Sequence, residues 1–288
     1  MSKSKRKLSP GATLVFIIIA LVAFLYGKLG EPEAVIYDGD FFISVLDVGQ
    51  GDSILISCGD SKMLVDCGEA EYADRVINAV NACPGELLYV VATHPHSDHI
   101  GAMAKVLEKC PPKLLLMPEK ENTTSCFTKM LDMMEKKNIP GEFVYAGDEY
   151  TLGDAIITVV SPEKGYTGDE LNSWSAVLLI EYNGFSFLLT GDSTKDRESE
   201  YLKYIDSPVD VLKVAHHGSS GSNGKKLLKE ITPTYAIISC GEGNSYGHPH
   251  KEVRELLQKY AEKIYRTDKN GTVTVLVKGD ELYVSAER

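Results

Sequence analysis

The chain has 288 residues, 43% apolar and 25% charged, with a formal net charge of −11. That length and mix suffice to bury a sizeable core in one large domain or two small ones, and they exclude a low-complexity chain. Residues 1–30 carry five of the 30 basic side chains and none of the 41 acidic ones, so the remainder stands at −16, a poor footprint for tight nucleic-acid binding through surface charge.

Lys3, Lys5, Arg6 and Lys7 make residues 1–7 a basic tail, and Leu8–Gly27 then runs 20 residues without a charge. About 20 mainly apolar residues are what crossing the hydrocarbon layer requires, so residues 8–29 are expected to form a transmembrane helix. The basic flank stays cytoplasmic by this reading, and residues 30–40 are an acidic linker to a catalytic domain facing outward. The alternative is a secreted protein after signal cleavage; the length of the run and the absence of a small-x-small site near its end favour the anchor.

From residue 41 onward the pattern is strand-rich. FFISVLDV, DSILISC and KMLVDC read as consecutive strands, AEYADRVINAVNAC as a helix and LLYVVAT as a buried strand. A helix is expected from Ile100-Gly101 through IGAMAKVLEKC, then strand KLLLM and helix TSCFTKMLDMMEKK. DAIITVVS, SAVLLIEY and FSFLLT follow as strands, the last two joined at Asn183-Gly184, a strong hairpin signal. A helix over TKDRESEYLKYI, strand VDVLKVA, helix KKLLKEI, strand YAIIS, helix KEVRELLQKY and strands near VTVLV and LYV complete the chain. Two β-rich halves each ending in helices predict an α/β sandwich of two sheets with helices outside, one domain over 41–288. Six cysteines without a C-x-x-C pair are expected to be mainly small buried hydrophobes.

The chemistry concentrates where strand LLYVVAT ends. His94-Pro95-His96-Ser97-Asp98-His99 puts three imidazoles and a carboxylate within six residues, at the end of a strand where α/β sheets place ligand sites. His94 and His96, two apart in an extended loop, can address one metal ion, and Asp98 and His99 a second. Such ligands suit zinc, iron or manganese. GSSGSNGKK runs into a helix at Lys225 and Lys226, where backbone N–H groups and the lysines could hold a phosphate; a flexible loop with solvated lysines reads equally well. Asp47, Gln50 and Asp52 can line the same mouth or simply make a turn. In an extended strand His216 and His217 would point oppositely, so one is expected to be a ligand and the other a support.

H-x-H-x-D-H after an apolar strand resembles the signature of the metallo-β-lactamase superfamily, which implies its αββα fold and metal-dependent hydrolysis. By that resemblance Asp66 in KMLVDCG buttresses the metal loop, Asp192 in FLLTGDS bridges two metals, and His216-His217 occupies the later histidine position. More narrowly, SVLDVGQGDS, THPHSDHIGA, FLLTGD, VLKVAHHGSS and YGHPH resemble the hydrolase domain of the ComEC-type competence proteins. The superfamily normally has a further histidine between the cluster and the bridging aspartate, but none lies between His99 and His216. An Asn/Ser segment matched by Asn172, Ser173 and Ser175 stands there instead, which leaves the first metal site more open. The same resemblance makes His248 a candidate for proton donation or phosphate contact, beside Asp98 as the other catalytic candidate.

The expectation is a metal-dependent phosphodiesterase or nuclease holding one or two divalent ions, zinc first and manganese second. Its partners would be a phosphodiester substrate, possibly DNA, and the membrane through the N-terminal helix. The alternatives are a hydrolase of a cell-envelope phosphodiester or of a lactam or lactone ring, and an inactive membrane-tethered binding module.

Overall fold

The computed structural model describes residues 41–206 and 208–288. The basic tail, the expected transmembrane helix over 8–29 and the linker 30–40 lie outside the described residues. Among those described, no helix is long and apolar enough to cross a membrane.

In chain order come β1 (Phe41–Val45), β2 (Ile54–Cys58), β3 (Ser61–Val65), α1 (Ala73–Ala82), β4 (Glu86–Val91), α2 (Ser97–Ile100), α3 (Met103–Lys109), β5 (Leu114–Met117), α4 (Ser125–Lys137) and β6 (Gly141–Phe143). The second half contains β7 (Glu149–Leu152), β8 (Ala155–Ser161), β9 (Val177–Tyr182), β10 (Phe185–Leu189), α5 (Glu198–Tyr201), β11 (Val211–Lys213), α6 (Lys225–Ile231), β12 (Tyr235–Ile238), α7 (Lys251–Tyr260), β13 (Lys263–Arg266), α8 (Thr267–Asn270), β14 (Val273–Lys278) and β15 (Glu281–Ala286). One sheet has the order β15-β14-β1-β2-β3-β4-β5-β6 and the other β13-β12-β11-β10-β9-β8-β7. The C-terminal hairpin β14–β15 thus joins the first sheet, with β14 antiparallel to β1.

Period-two alternation sets the layers. Phe41, Ile43 and Val45 of β1 meet Leu178 and Ile180 of β9 and Phe187 and Leu189 of β10 in one core between the sheets. The rings of Phe41 and Phe187 lie 5.1 Å apart there, and each such buried ring contributes about 1.5–3 kcal/mol over an exposed one. The alternate residues Val177, Leu179, Leu188, Leu212 and Ile238 face Leu227, Leu228, Val253 and Leu257 of α6 and α7. On the first sheet Met63 faces the core, while its neighbour Lys62 points outward and donates to Val80 and Cys83 carbonyls at the end of α1. The result is the expected two-sheet α/β fold with helices outside.

The Asn183-Gly184 turn closes the antiparallel β9–β10 pair with φ of 48° and 80°, the left-handed pair that such a tight hairpin requires. Five elements depart from expectation. The turn of helix after the histidine cluster begins at Ser97 rather than Ile100, so Asp98 and His99 ride on α2 itself. Of the helix expected over TKDRESEYLKYI only Glu198–Tyr201 forms, because side chains here bond elsewhere: Thr194 to Asp196, Glu200 to Ser161 and Arg197, Lys203 to Glu163. The short strands β6, β7 and β13 have no counterpart in the sequence reading. Five of the six cysteines are buried.

Candidate metal centre

Every residue of the centre leaves the carboxyl end of a strand or the segment just beyond it. Asp66 follows β3, His94 to His99 follow β4, Asp192 follows β10, and His216 and His217 follow β11. The loop after β12 brings His248 to the same mouth. Together with Gln50, Ser97, Asn172 and Tyr246, the residues His96, Asp98, Asp192, His216, His217 and His248 line a cleft of about 300 Å³.

Asp192 is the hub. Its Oδ1 lies 3.2 Å from His99 Nε2 and 3.6 Å from His217 Nε2, and His217 Nε2 is 3.3 Å from Asp98 Oδ2. These four residues each offer one ligand atom within 4.8 Å of the others. Its Oδ2 lies 3.6 Å from His216 Nε2 and 3.9 Å from His94 Nε2, whose other neighbour is His96 Nδ1 at 3.0 Å. Each carboxylate oxygen therefore addresses its own set of imidazoles.

The donor chemistry fits a cation. His99 Nδ1 donates to Asp66 at 2.6 Å and His217 Nδ1 to the Ser239 carbonyl at 3.0 Å, so in the neutral form of both rings the remaining Nε2 carries the lone pair. Those two nitrogens and Asp192 Oδ1 are buried without a hydrogen-bond partner. Lone pairs converging on buried atoms repel one another unless something positive sits among them.

The sequence pattern described as the Metallo-beta-lactamase superfamily matches residues 46–242. The chain belongs to that superfamily. It is 33% identical over 251 residues to ComE operon protein 3 of Bacillus subtilis, covering 80% of this chain and 32% of that one. It is 28% identical over 247 residues to competence protein ComA of Neisseria gonorrhoeae, covering 84% and 33%. The chain thus spans about a third of the length of the curated relatives it matches. Among solved structures, the metallo-beta-lactamase fold protein YhfI of Bacillus subtilis superimposes with a TM-score of 0.53 at 14% identity, over 85% of this chain and all of that one.

The local structure shows how this metallo-β-lactamase domain holds its ligands. Asp66 has φ 57°, a left-handed conformation that costs a non-glycine residue about 1–3 kcal/mol. Three hydrogen bonds hold it there: from Thr93 N at 2.8 Å, from Thr93 Oγ1 at 2.6 Å and from His99. A Cβ at Gly51 would run into the Asp98 carbonyl oxygen, and this close approach lets Asp52 N donate to that oxygen at 3.1 Å. Ser175 Oγ accepts from the Asp192 N–H at 3.1 Å and fixes the hub from below.

Burial opposes charge on His217, yet Asp192, Asp52 and Asp98 push its pKa up to about 10. Burial likewise opposes His99, and Asp192 and Asp66 hold it well above the ordinary range. Burial raises Asp66 despite its His99 partner. For Asp192 and Asp98 burial is overcome by the surrounding histidines: Asp192 stays well below the carboxylate range, and Asp98 falls to about 2. Carboxylates kept ionised, and histidines driven to take protons, describe a field that calls for positive charge. His94 differs: burial, with His99 beside it, holds it well below its ordinary value, as a neutral ligand requires. His216 is lowered by burial, and His248 falls to about 4 through burial and its histidine neighbours.

The expectation that His216 and His217 point oppositely is corrected. Both residues have left-handed backbone, φ 51° and 53°, so neither belongs to an extended strand and both rings face Asp192. Asn223 imposes this turn by clamping the Ala215 N–H and C=O at 2.9 Å each. Asn172 lines the cleft with a buried, unpartnered Oδ1. Lys225 and Lys226 are a second correction: both are exposed at the start of α6 and neither lines the cleft. The Gly224 N–H that could have met a phosphate donates instead to Glu198 Oε1 at 2.7 Å.

Sequence reasoning gave no role to Lys213 and left Asp52 either lining the mouth or making a turn. Lys213 Nζ sits 2.7 Å from Asp52 Oδ2, both side chains 1% exposed, and Asp52 Oδ1 is 3.5 Å from His217 Nδ1. This buried pair stands behind His217, and the Lys213 charge helps hold Asp52 ionised against its burial. The lone lysine inside VDVLKVA was the available signal, since a charge in a buried strand needs a partner. Asp47 turns to a neighbouring cleft and pairs with Arg288 at 2.7 Å.

Proposed function

We propose that the domain is a metal-dependent phosphodiesterase of nuclease type. The observation that carries this reading is the pair of ligand sets divided between the two oxygens of Asp192. When bound, one or two divalent ions, zinc first and manganese second, supply the Lewis acidity that makes water nucleophilic at neutral pH. Asp98, His99 and His217 would hold an ion on the Oδ1 side, and His94, His96 and His216 one on the Oδ2 side. Asp66, Asp52 and Ser239 orient the imidazoles. His248, neutral at pH 7, offers an N–H to a phosphoryl oxygen at the cleft mouth rather than a transferable second proton. Asn172 presents an amide to the same space.

The competence-related names of the curated relatives support DNA as the substrate, and the uncharged run 8–27 supports a tether that displays the domain outside the membrane. One observation favours a second reading, a small envelope phosphodiester: the residues lining the cleft include no lysine or arginine. The test is metal content of the purified protein with turnover of bis(p-nitrophenyl) phosphate, followed by plasmid degradation against phosphorylcholine release. Cleavage of DNA alone supports the nuclease, release of phosphorylcholine alone supports the second reading, and no ion with no turnover rejects both.

A further inference from the structure

Tyr246 is 66% exposed, the most exposed large apolar side chain among the described residues, and it lines the same cleft as Asp192. Its ring lies nearly parallel to that of His248, with centroids 5.6 Å apart and an interplanar angle of 21°. His248 in turn stands 5.6 Å from His216 and 6.2 Å from His217, so Tyr246 is one ring removed from the ligands of the centre.

The loop carrying Tyr246 is fixed. Asn244 Nδ2 donates to the carbonyls of Gly241 and His248 at 2.9 and 2.7 Å, and its Oδ1 accepts from the His248 N–H at 3.0 Å. Ser220 N donates to His250 Nδ1 at 2.9 Å, which leaves Nε2–H to donate to the Tyr246 carbonyl at 3.2 Å. An aromatic ring displayed to solvent on a pinned loop adds little to folding, but it is a preorganised face for a planar partner.

We propose that Tyr246 is the platform on which the base next to the scissile phosphate stacks. This rests on the phosphodiesterase reading and deepens it. With no lysine or arginine lining the cleft, its side chains add little to the ions' hold on phosphate, and stacking on a ring is a further source of affinity for a nucleotide. A base can stack on Tyr246 only after leaving its own stack, so the geometry selects a single strand or a frayed end over an intact duplex. Tyr246 is therefore a specificity-determining residue, and stacking tolerates every base because each has a π-face.

The test compares kcat/KM of the full, manganese-loaded chain on a single-stranded oligonucleotide and on an abasic strand of equal length. The wild type should prefer the base-bearing strand by about tenfold. Tyr246→Ala should bring that ratio to about one, and Tyr246→Trp should keep or widen it. A merely structural role would lower both rates alike and leave the ratio unchanged. Equal cleavage of both strands by the wild type, or an unchanged ratio in Tyr246→Ala, overturns the platform while the phosphodiesterase reading stands. Failure to cleave either strand overturns the phosphodiesterase reading and the platform with it.

Discussion

On the Oδ1 side of Asp192, His99 and His217 are fully buried, and a buried acceptor holds each at Nδ1, Asp66 for one and Ser239 with Asp52 nearby for the other. On the Oδ2 side only His94 is fully buried; His96 is half-buried, the His216 side chain is 27% exposed with an unpartnered Nδ1, and Asn172 meets the cleft with an amide rather than an imidazole. The two half-sites share one carboxylate but not one degree of preorganisation. Oriented ligands lose less freedom on binding, so the Oδ1 side should hold its ion tightly and the Oδ2 side should exchange it.

Asp192→Asn strikes both sides at once and carries the largest expected effect. Turnover should fall about 10³-fold or more, and bound metal measured on the dialysed protein should drop from both half-sites. Retention of one full equivalent would show that the Oδ1 side stands without its hub.

Lys213→Met tests the anchored side alone. Removing one partner of a buried pair strands Asp52 and should cost about 3–5 kcal/mol in thermal unfolding. The double variant Asp52→Asn, Lys213→Met should recover much of that stability. It should still bind its tighter ion about 10–100-fold more weakly, because His217 has lost a carboxylate neighbour. A double variant with unchanged metal affinity would show that Ser239 alone orients His217.

Asn172→His approaches the weaker side from the opposite direction. Supplying an imidazole from the segment whose Ser175 fixes Asp192 should tighten the second ion about tenfold, read from a metal titration. No change would place the openness of that side in His96 and His216 rather than in the missing ligand.

How far the sequence reached follows from the same contrast. His94 to His99 were legible because six adjacent residues share a strand end, and Asn183-Gly184 because a two-residue turn is local chemistry. The strands missed, β6, β7 and β13, are edge strands, where exposure erases the apolar alternation that marks an inner one. The facing of His216 and His217 was misread because period-two reasoning presumes extended backbone, and here Asn223, outside the motif, imposes a left-handed turn. Lys213 with Asp52, and His248 with His216, depend on distant segments meeting, which no local pattern encodes.

The support beneath His216 also differs in kind from that beneath His217. Behind His217 lies an ion pair, whereas the segment after Asn223 is tied at Gly224 to Glu198, a carboxyl that burial pushes up to about 7. A folded-state pKa above the ordinary 4.5 means that the folded chain binds the proton more tightly than the unfolded one. Stability from Glu198 is therefore greatest below about 4.5, declines as pH rises through about 7, and is flat beyond. Glu198→Gln keeps the acceptor for Gly224 and removes the titration. Its melting temperature should match wild type at pH ~4 and exceed it at pH ~8 by a few degrees, about 1 kcal/mol after screening by nearby water. Metal affinity at neutral pH should not move on either side. If the second ion loosens in the variant while the first does not, the ionised form of Glu198 must itself hold the His216 turn in place, and the weaker side would owe part of its grip to that charge.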